Sequence, residues 1–159
     1  MTVDELLNEV RENKVVENKL FKSANWNFSN CNFNDVHKIV FKNCVFADYF
    51  NFRNLTNENL DIEFQNCSFK VPIINYFKTI HCNQFHLDNC SSESTLFIDC
   101  TIQNLAIENT SISNDLNIHT CNINTLLVAN EEGNGYINSF LIGLKRTTNY
   151  LQPSPQLFY

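Results

Sequence analysis

Residues 79–144 contain no lysine and no arginine. A stretch that long without a cation excludes the basic patch that direct nucleic-acid binding requires. Glycine and proline are scarce, three of each in 159 residues, so no Gly- or Pro-rich linker divides the chain and one domain is expected. The sequence holds no Gly-rich phosphate loop, no GxSxG nucleophile elbow, no HExxH and no CxxC, which leaves enzymatic and metal chemistry without a motif. No apolar run approaches the ~18 residues of a membrane-spanning helix, so no membrane contact is expected. The opening MTVDELLNEVRENK has neither the basic start nor the apolar run of a signal peptide.

Cysteine is plentiful instead. Seven cysteines make an odd count, and without a signal peptide they argue against a disulfide framework. Four of them follow an asparagine, at 30–31, 43–44, 66–67 and 89–90. A recurring NC dyad points to reduced thiols used as small apolar core residues. Cys31, Cys44, Cys67, Cys90, Cys100 and Cys121 are expected inside, with Cys82 the exception that breaks the pattern. Reduced cysteines place the chain in the cytoplasm as an expectation. The histidines (His37, His81, His86 and His119) show no ligand spacing, and no cofactor or metal is expected.

The organising pattern lies at 100–130, which divides into CTIQN LAIEN TSISND LNIHT CNINT LLVAN. An apolar residue returns at the third place of each block of about five, a period belonging to neither a helix nor a plain strand. Extended back to Phe85, nine tandem blocks appear, with one extra residue at Asp115. Fragments recur upstream as WNFSN-CNFND (26–35), IVFKN-CVFAD (39–48) and FQN-CSFKV (64–71). A coil with four short sides satisfies this pattern. The first and third places point inward, the others face solvent, and asparagine turns the corner because it tolerates left-handed backbone angles. Coils of about 20 residues then stack at ~4.8 Å, and only stacking buries the inward residues. The spacing sets Cys44, Cys67 and Cys90 in one stack, Cys100 on Cys121, and Phe85, Leu105 and Leu126 in another. Phe28, Phe33, Phe41, Phe46, Phe64 and Phe69 take inward places, whereas Trp26, Tyr49 and Phe50 are left open. Periodicity alone also allows a less regular, three-sided β-helix.

These blocks resemble the pentapeptide-repeat family, whose usual block is A(D/N)LXX with a central Leu or Phe. The likeness is clear over 85–130 and degenerate over 26–84, with Cys, Thr or Leu where Ala is commonest and Ile replacing Leu later. The resemblance implies an all-β, right-handed parallel quadrilateral β-helix. Three parts are expected: a capping helix at 1–14, the repeat domain at 15–130, and a C-terminal cap and tail at 131–159. Thr2 with Glu5 forms a capping box for the helix, which turns Leu6, Leu7 and Val10 to one face. In the C-terminal segment Ile137, Phe140, Leu141, Leu144 and Tyr150 are expected to cap the far end or to pair two molecules.

Charge divides the chain. Residues 1–78 hold ten acidic and nine basic side chains, while 79–144 hold seven acids and no base. Asp88, Glu93, Asp99, Glu108 and Asp115 all fall at outward places or at the inserted corner, with Asp88 and Glu108 one coil apart at the same place. Gyrase-protecting members of the resembled family present a DNA-sized anionic β-helix to a DNA-binding enzyme. Three coils span ~15 Å, over which duplex DNA carries ~9 phosphates, so seven carboxylates approach that density if they share a face. The first expectation is therefore a non-enzymatic module that binds a protein partner such as a topoisomerase, or a target in phage anti-defence. The alternative is a neutral scaffold that recognises its partner through the excess residues near 54–59 and 71–84 and through the aromatic tail.

Overall fold

The computed structural model describes residues 1–13, 15–32, 34–70, 75–131 and 135–151. Of the site residues named above, only the side chain of Tyr150 lies outside this description, as does the whole of Phe33. Among the described residues one helix, α1 (Val3–Asn13), precedes eleven strands. These are β1 (Val15–Glu17), β2 (Leu20–Asn27), β3 (Lys38–Lys42), β4 (Val45–Gln65), β5 (Ser68–Phe69), β6 (Asn75–Asp88), β7 (Ser91–Ser92), β8 (Thr95–Ile98), β9 (Thr101–Glu108), β10 (Ser111–Ala129) and β11 (Ile137–Leu151). Every pairing between them is parallel and joins residues one turn apart, such as Phe64 with Leu87 and Leu87 with Ile107. The result is a parallel β-helix of about five turns.

Each regular turn has four sides. In the turn that begins at Thr95, the sides are 95–97, 100–102, 105–107 and 110–112, here called first to fourth. Both outer residues of each triplet are buried: Thr95 and Phe97, Cys100 and Ile102, Leu105 and Ile107, Thr110 and Ile112. The middle residue faces out, as the five-residue pattern requires.

Two corners per turn depend on a single residue in the left-handed region. Asn18, Asn43, Asn66, Asn89 and Asn109 turn the third side into the fourth, at φ between 49° and 58°. Asn54, Thr79, Asp99 and Thr120 do the same between the first and second sides. Asparagine and aspartate accept this conformation more readily than other residues with a Cβ. The corner peptides also stay in the ladder: Asn66 N–H donates to Asp88 O at 3.0 Å and Asn89 N–H to Glu108 O at 3.0 Å. Between side chains, Asn89 Nδ2 donates to Asn66 Oδ1 at 2.6 Å and Asn43 Nδ2 to Asn18 Oδ1 at 3.3 Å.

The cysteine that follows Asn43, Asn66 and Asn89 points inward and donates its thiol to the corner. Cys67 Sγ lies 3.4 Å from Gln65 O and 3.4 Å from Phe41 O of the preceding turn. Cys90 repeats the contacts to Asp88 O and Phe64 O, at 3.4 and 3.3 Å. Thr110 takes the same place with its hydroxyl, 2.8 Å from Glu108 O. Small side chains that each carry one donor thus satisfy corner carbonyls and stack Cys44, Cys67, Cys90 and Thr110 in register.

Two cysteine expectations are corrected. Cys82 is buried on the second side against Ile102, in the third, inward place that Ile102 and Ile123 hold in the later turns. Cys31 is half-exposed, because 28–32 and 34–37 carry no strand and the first corner of its stack belongs to Asn18. Burial, with Asp61 adding to it, pushes the Cys82 thiol up to about 12. In a native-state labelling time course with a neutral thiol reagent, Cys31 is expected to react first and the other six only on unfolding. Fast labelling of Cys82 or Cys90 would contradict the inward assignment.

Aromatic rings fill the earlier turns. Phe41 stacks on Phe64 with centroids 4.8 Å apart, Phe64 on Phe85 at 5.8 Å, and Phe77 on Phe97 at 4.9 Å. Trp26 and Phe50 join this core, whereas Tyr49 points out. Later turns carry Ile and Leu at equivalent places, with Phe85, Leu105 and Leu126 in register.

The longer early turns place their excess at the other two corners. Between Asn57 and Asp61 three residues stand opposite the single residue between Cys82 and Gln84. Glu58 and Asn59 of this bulge are exposed, but Leu60 turns back into the core and is fully buried, and Asn57 Nδ2 donates to Val36 O at 2.9 Å. The second excess falls between Phe69 and Asn75, around residues 71–74, which lie outside the description. The single extra residue expected at Asp115 falls in the fourth–first corner, where the register with β8 shifts between Ile112 and Leu116.

The N-terminal end is covered by α1. Thr2 and Glu5 form the reciprocal box, with Glu5 N–H donating to Thr2 Oγ1 at 3.2 Å and Thr2 N–H to Glu5 Oε2 at 2.7 Å. Leu6, Leu7 and Val10 are buried against the first turn, and Trp26 Nε1 donates to Met1 O at 3.1 Å. At the other end β11 pairs with β10 along its length, as a further parallel strand laid on the preceding turn. No helix among the described residues is long and apolar enough to cross a membrane.

Candidate functional site

The outward carboxylates define the site that the sequence singles out, and block position decides where each one lies. Asp88 and Glu108 are Cα partners on the third side, so they stand one strand spacing (~4.8 Å) apart. Both are half-buried against neighbouring side chains. Asp61 and Glu63 lie on the same side one turn earlier but pair with Gln84 and His86; the ladder of Asp88 and Glu108 is flanked by Gln65 and Ala129, so its acidic part is two residues long. Glu63 is neutralised by Lys38, 2.7 Å away, and Asp61 Oδ1 accepts from Asn83 Nδ2 at 2.7 Å. His86 Nε2 lies 2.8 Å from Glu108 Oε2, within ion-pair range but without the alignment of a hydrogen bond. Asp88 has no cationic partner among the described residues.

The other three predicted acids are elsewhere. Glu93 and Asp115 border the fourth–first corner, where Asn114 N–H donates to Glu93 O at 2.7 Å. Asp99 sits at the first–second corner and accepts the Thr120 hydroxyl. The five carboxylates therefore form two neighbouring pairs and one single group, spread over one side and two corners. Only Asp88 and Glu108 share a flat side.

At the C-terminal end, Ile137 pairs with Ile112, Phe140 with Leu116, Leu141 with Asn117, Leu144 with Cys121 and Tyr150 with Leu126. Ile137, Phe140 and Leu144 pack partly against the core, while Leu141 is 64% exposed and Ile142 38%. No described strand pairs the far edge of β11, so apolar side chains and an open strand edge occur together there.

No group of three His, Cys, Asp or Glu side chains among the described residues is placed to hold a metal ion. His86 and His119 lie on opposite sides of the helix, as their block positions predict. A groove of about 220 Å³ lies between α1 and the start of β3, lined by Val10, Arg11, Asp35, Val36, His37 and Lys38. Its principal charges are spent on each other: Arg11 holds Asp35 through bonds of 2.8 and 3.2 Å. That contact keeps the Asp35 carboxyl below its ordinary range.

One surface escapes a search for charge. On the first side the block TLFID (95–99) turns Leu96 and Ile98 outward, at places the other regular blocks fill mostly with polar residues. The signal was in the sequence, as apolar residues at the second and fourth places of a block. No protein-family model matches the chain, and neither a curated protein nor a solved structure matches it.

Proposed function

We propose that the chain is a divergent pentapeptide-repeat protein that acts without catalysis, as a stiff acidic rod binding a nucleic-acid-handling enzyme. The reading rests on Asp88 and Glu108, stacked on one flat side inside a run of 66 residues that contains no lysine or arginine. A one-signed field on a surface already ordered by the ladder attracts a basic groove at little conformational cost. A type II topoisomerase is the first partner to try, because the resembled family suggests it. Pairing of two copies through Ile137, Phe140, Leu141, Leu144 and Tyr150 would double the length of the rod.

The test is a binding titration against a purified type II topoisomerase at several salt concentrations. The parent is expected to bind with an affinity that falls steeply as salt rises, since the contact is between exposed charges. Asp88→Lys with Glu108→Lys is expected to bind about tenfold more weakly or worse and with a shallower salt slope. Its melting temperature should stay near the parent's. A double reversal that binds as well as the parent reduces the acidic side to a solubility feature.

A second reading, the neutral interaction scaffold, is favoured by the division of the remaining acids between two corners. In that reading recognition does not follow the acidic ladder.

A further inference from the structure

Opposite the Asp88–Glu108 side, the first side carries a surface of different chemistry. Its outward positions form two ladders at the strand spacing. One runs through Asn51, Tyr76 and Leu96, and the other through Arg53, Lys78 and Ile98. The first continues to Asn117 and Leu141, the second to His119 and Gly143. No carboxylate stands in either ladder. Tyr76, Leu96 and Ile98 are half-exposed, and Tyr49 beside them is 44% exposed.

Some polar groups on this side lack partners, although Asn51 Nδ2 donates to the Tyr49 hydroxyl at 3.3 Å. Arg53 and Lys78, one turn apart, make no salt bridge among the described residues. Asn51 points outward yet is only 8% exposed, and its Oδ1 accepts no hydrogen bond. Two residues on, the buried Nε of Arg53 donates none. An acceptor and a donor left unpaired in neighbouring places is a costly arrangement in a folded protein.

We propose that this first side is a docking surface for an acidic segment of a protein partner that also carries aromatic or aliphatic side chains. Charge complementarity fixes the direction of the segment. Arg53 and Lys78 lie in the earlier turns, so the partner's carboxylates sit there. Leu96, Ile98 and Leu141 lie in the later turns and receive its apolar side chains. Glu93, Asp99 and Asp115 flank those later turns and repel further negative charge. A nucleic acid has the wrong charge distribution, because its phosphates continue along the whole ~19 Å of the ladder into that acidic border. Leu96 and Ile98 also offer no ring on which a base can stack. This surface is separate from the third side and does not depend on the acidic-rod reading.

Three labelled probes test the proposal on the full-length protein: a random poly(Glu,Tyr) copolymer, poly-Glu, and single-stranded oligo(dT). Poly(Glu,Tyr) is expected to bind, poly-Glu about tenfold more weakly, and oligo(dT) not at all. Arg53→Glu with Lys78→Glu is expected to weaken poly(Glu,Tyr) by about tenfold or more. Leu96→Thr with Ile98→Thr should remove the difference between poly(Glu,Tyr) and poly-Glu, and each variant is first shown to melt within a few degrees of the parent. Asp88→Lys with Glu108→Lys, on the opposite side, should not weaken poly(Glu,Tyr), so failure of either reading is seen separately. No binding of poly(Glu,Tyr), equal binding of poly-Glu by the parent, indifference to Arg53→Glu with Lys78→Glu, or binding of oligo(dT) in its place overturns the proposal.

Discussion

Ile107→Asp is expected to unfold the protein, whereas Glu108→Lys next to it leaves the fold intact. Ile107 is fully buried on the third side, stacked between Leu87 and Val128 of the adjoining turns. A carboxylate there meets only apolar neighbours and loses the packing of the isoleucine as well. An unpaired buried charge costs several kcal/mol, comparable with the whole ~5–15 kcal/mol that holds a domain together. Glu108 faces outward, with the His86 imidazole 2.8 Å from its carboxylate. Reversing its charge loses a half-exposed contact, which should cost no more than about 1 kcal/mol. Circular dichroism melts of the two variants are sufficient. Equal damage from both would remove the distinction between inside and outside on which the architecture rests.

Phe64→Ala carries the second large effect. The ring is fully buried and lies within 6.4 Å, centroid to centroid, of Phe41, Phe46, Phe50, Phe52, Phe69, Phe77 and Phe85. Its neighbours are held by backbone ladders above and below, so they cannot collapse into the space it leaves. The expected loss is ~3–5 kcal/mol in equilibrium denaturant unfolding, the range for removing a large ring from a closed core. Phe64→Leu should lose much less, because most of the volume is retained. Leu20→Ala, at a side chain 63% exposed, provides the control and should stay within ~0.5 kcal/mol. A loss below ~1 kcal/mol for Phe64→Ala would mean that the early turns are loosely packed.

The five-residue spacing carried the regular turns from Phe85 to Asn130, because each place in a block has one fixed direction. Cys100 on Cys121 and Asp88 beside Glu108 follow from that rule alone. The NC dyad was legible for Cys44, Cys67 and Cys90, where the asparagine turns a left-handed corner and the thiol caps its carbonyls. It misled at Cys31, since a loop asparagine and a corner asparagine are the same letter. Cys82 was misplaced for the opposite reason. Its block lacks the preceding asparagine, because the first–second corner there is turned by Thr79 and the cysteine takes the third place. The path of 57–61 was also hidden, since nothing local shows that Leu60 turns back into the core. Charge counting found the acids but not their division among sides and corners. It also passed over the first side, where the informative residues are apolar.

The central claim is a parallel ladder whose register sends alternate residues inward and sets Asp88 beside Glu108. Interstrand backbone NOEs on isotope-labelled protein test it most directly. Parallel contacts are predicted between Asp88 and Glu108, Leu105 and Leu126, and Phe64 and Leu87. Antiparallel contacts, or pairings displaced by one residue so that Glu108 meets Leu87, would contradict it.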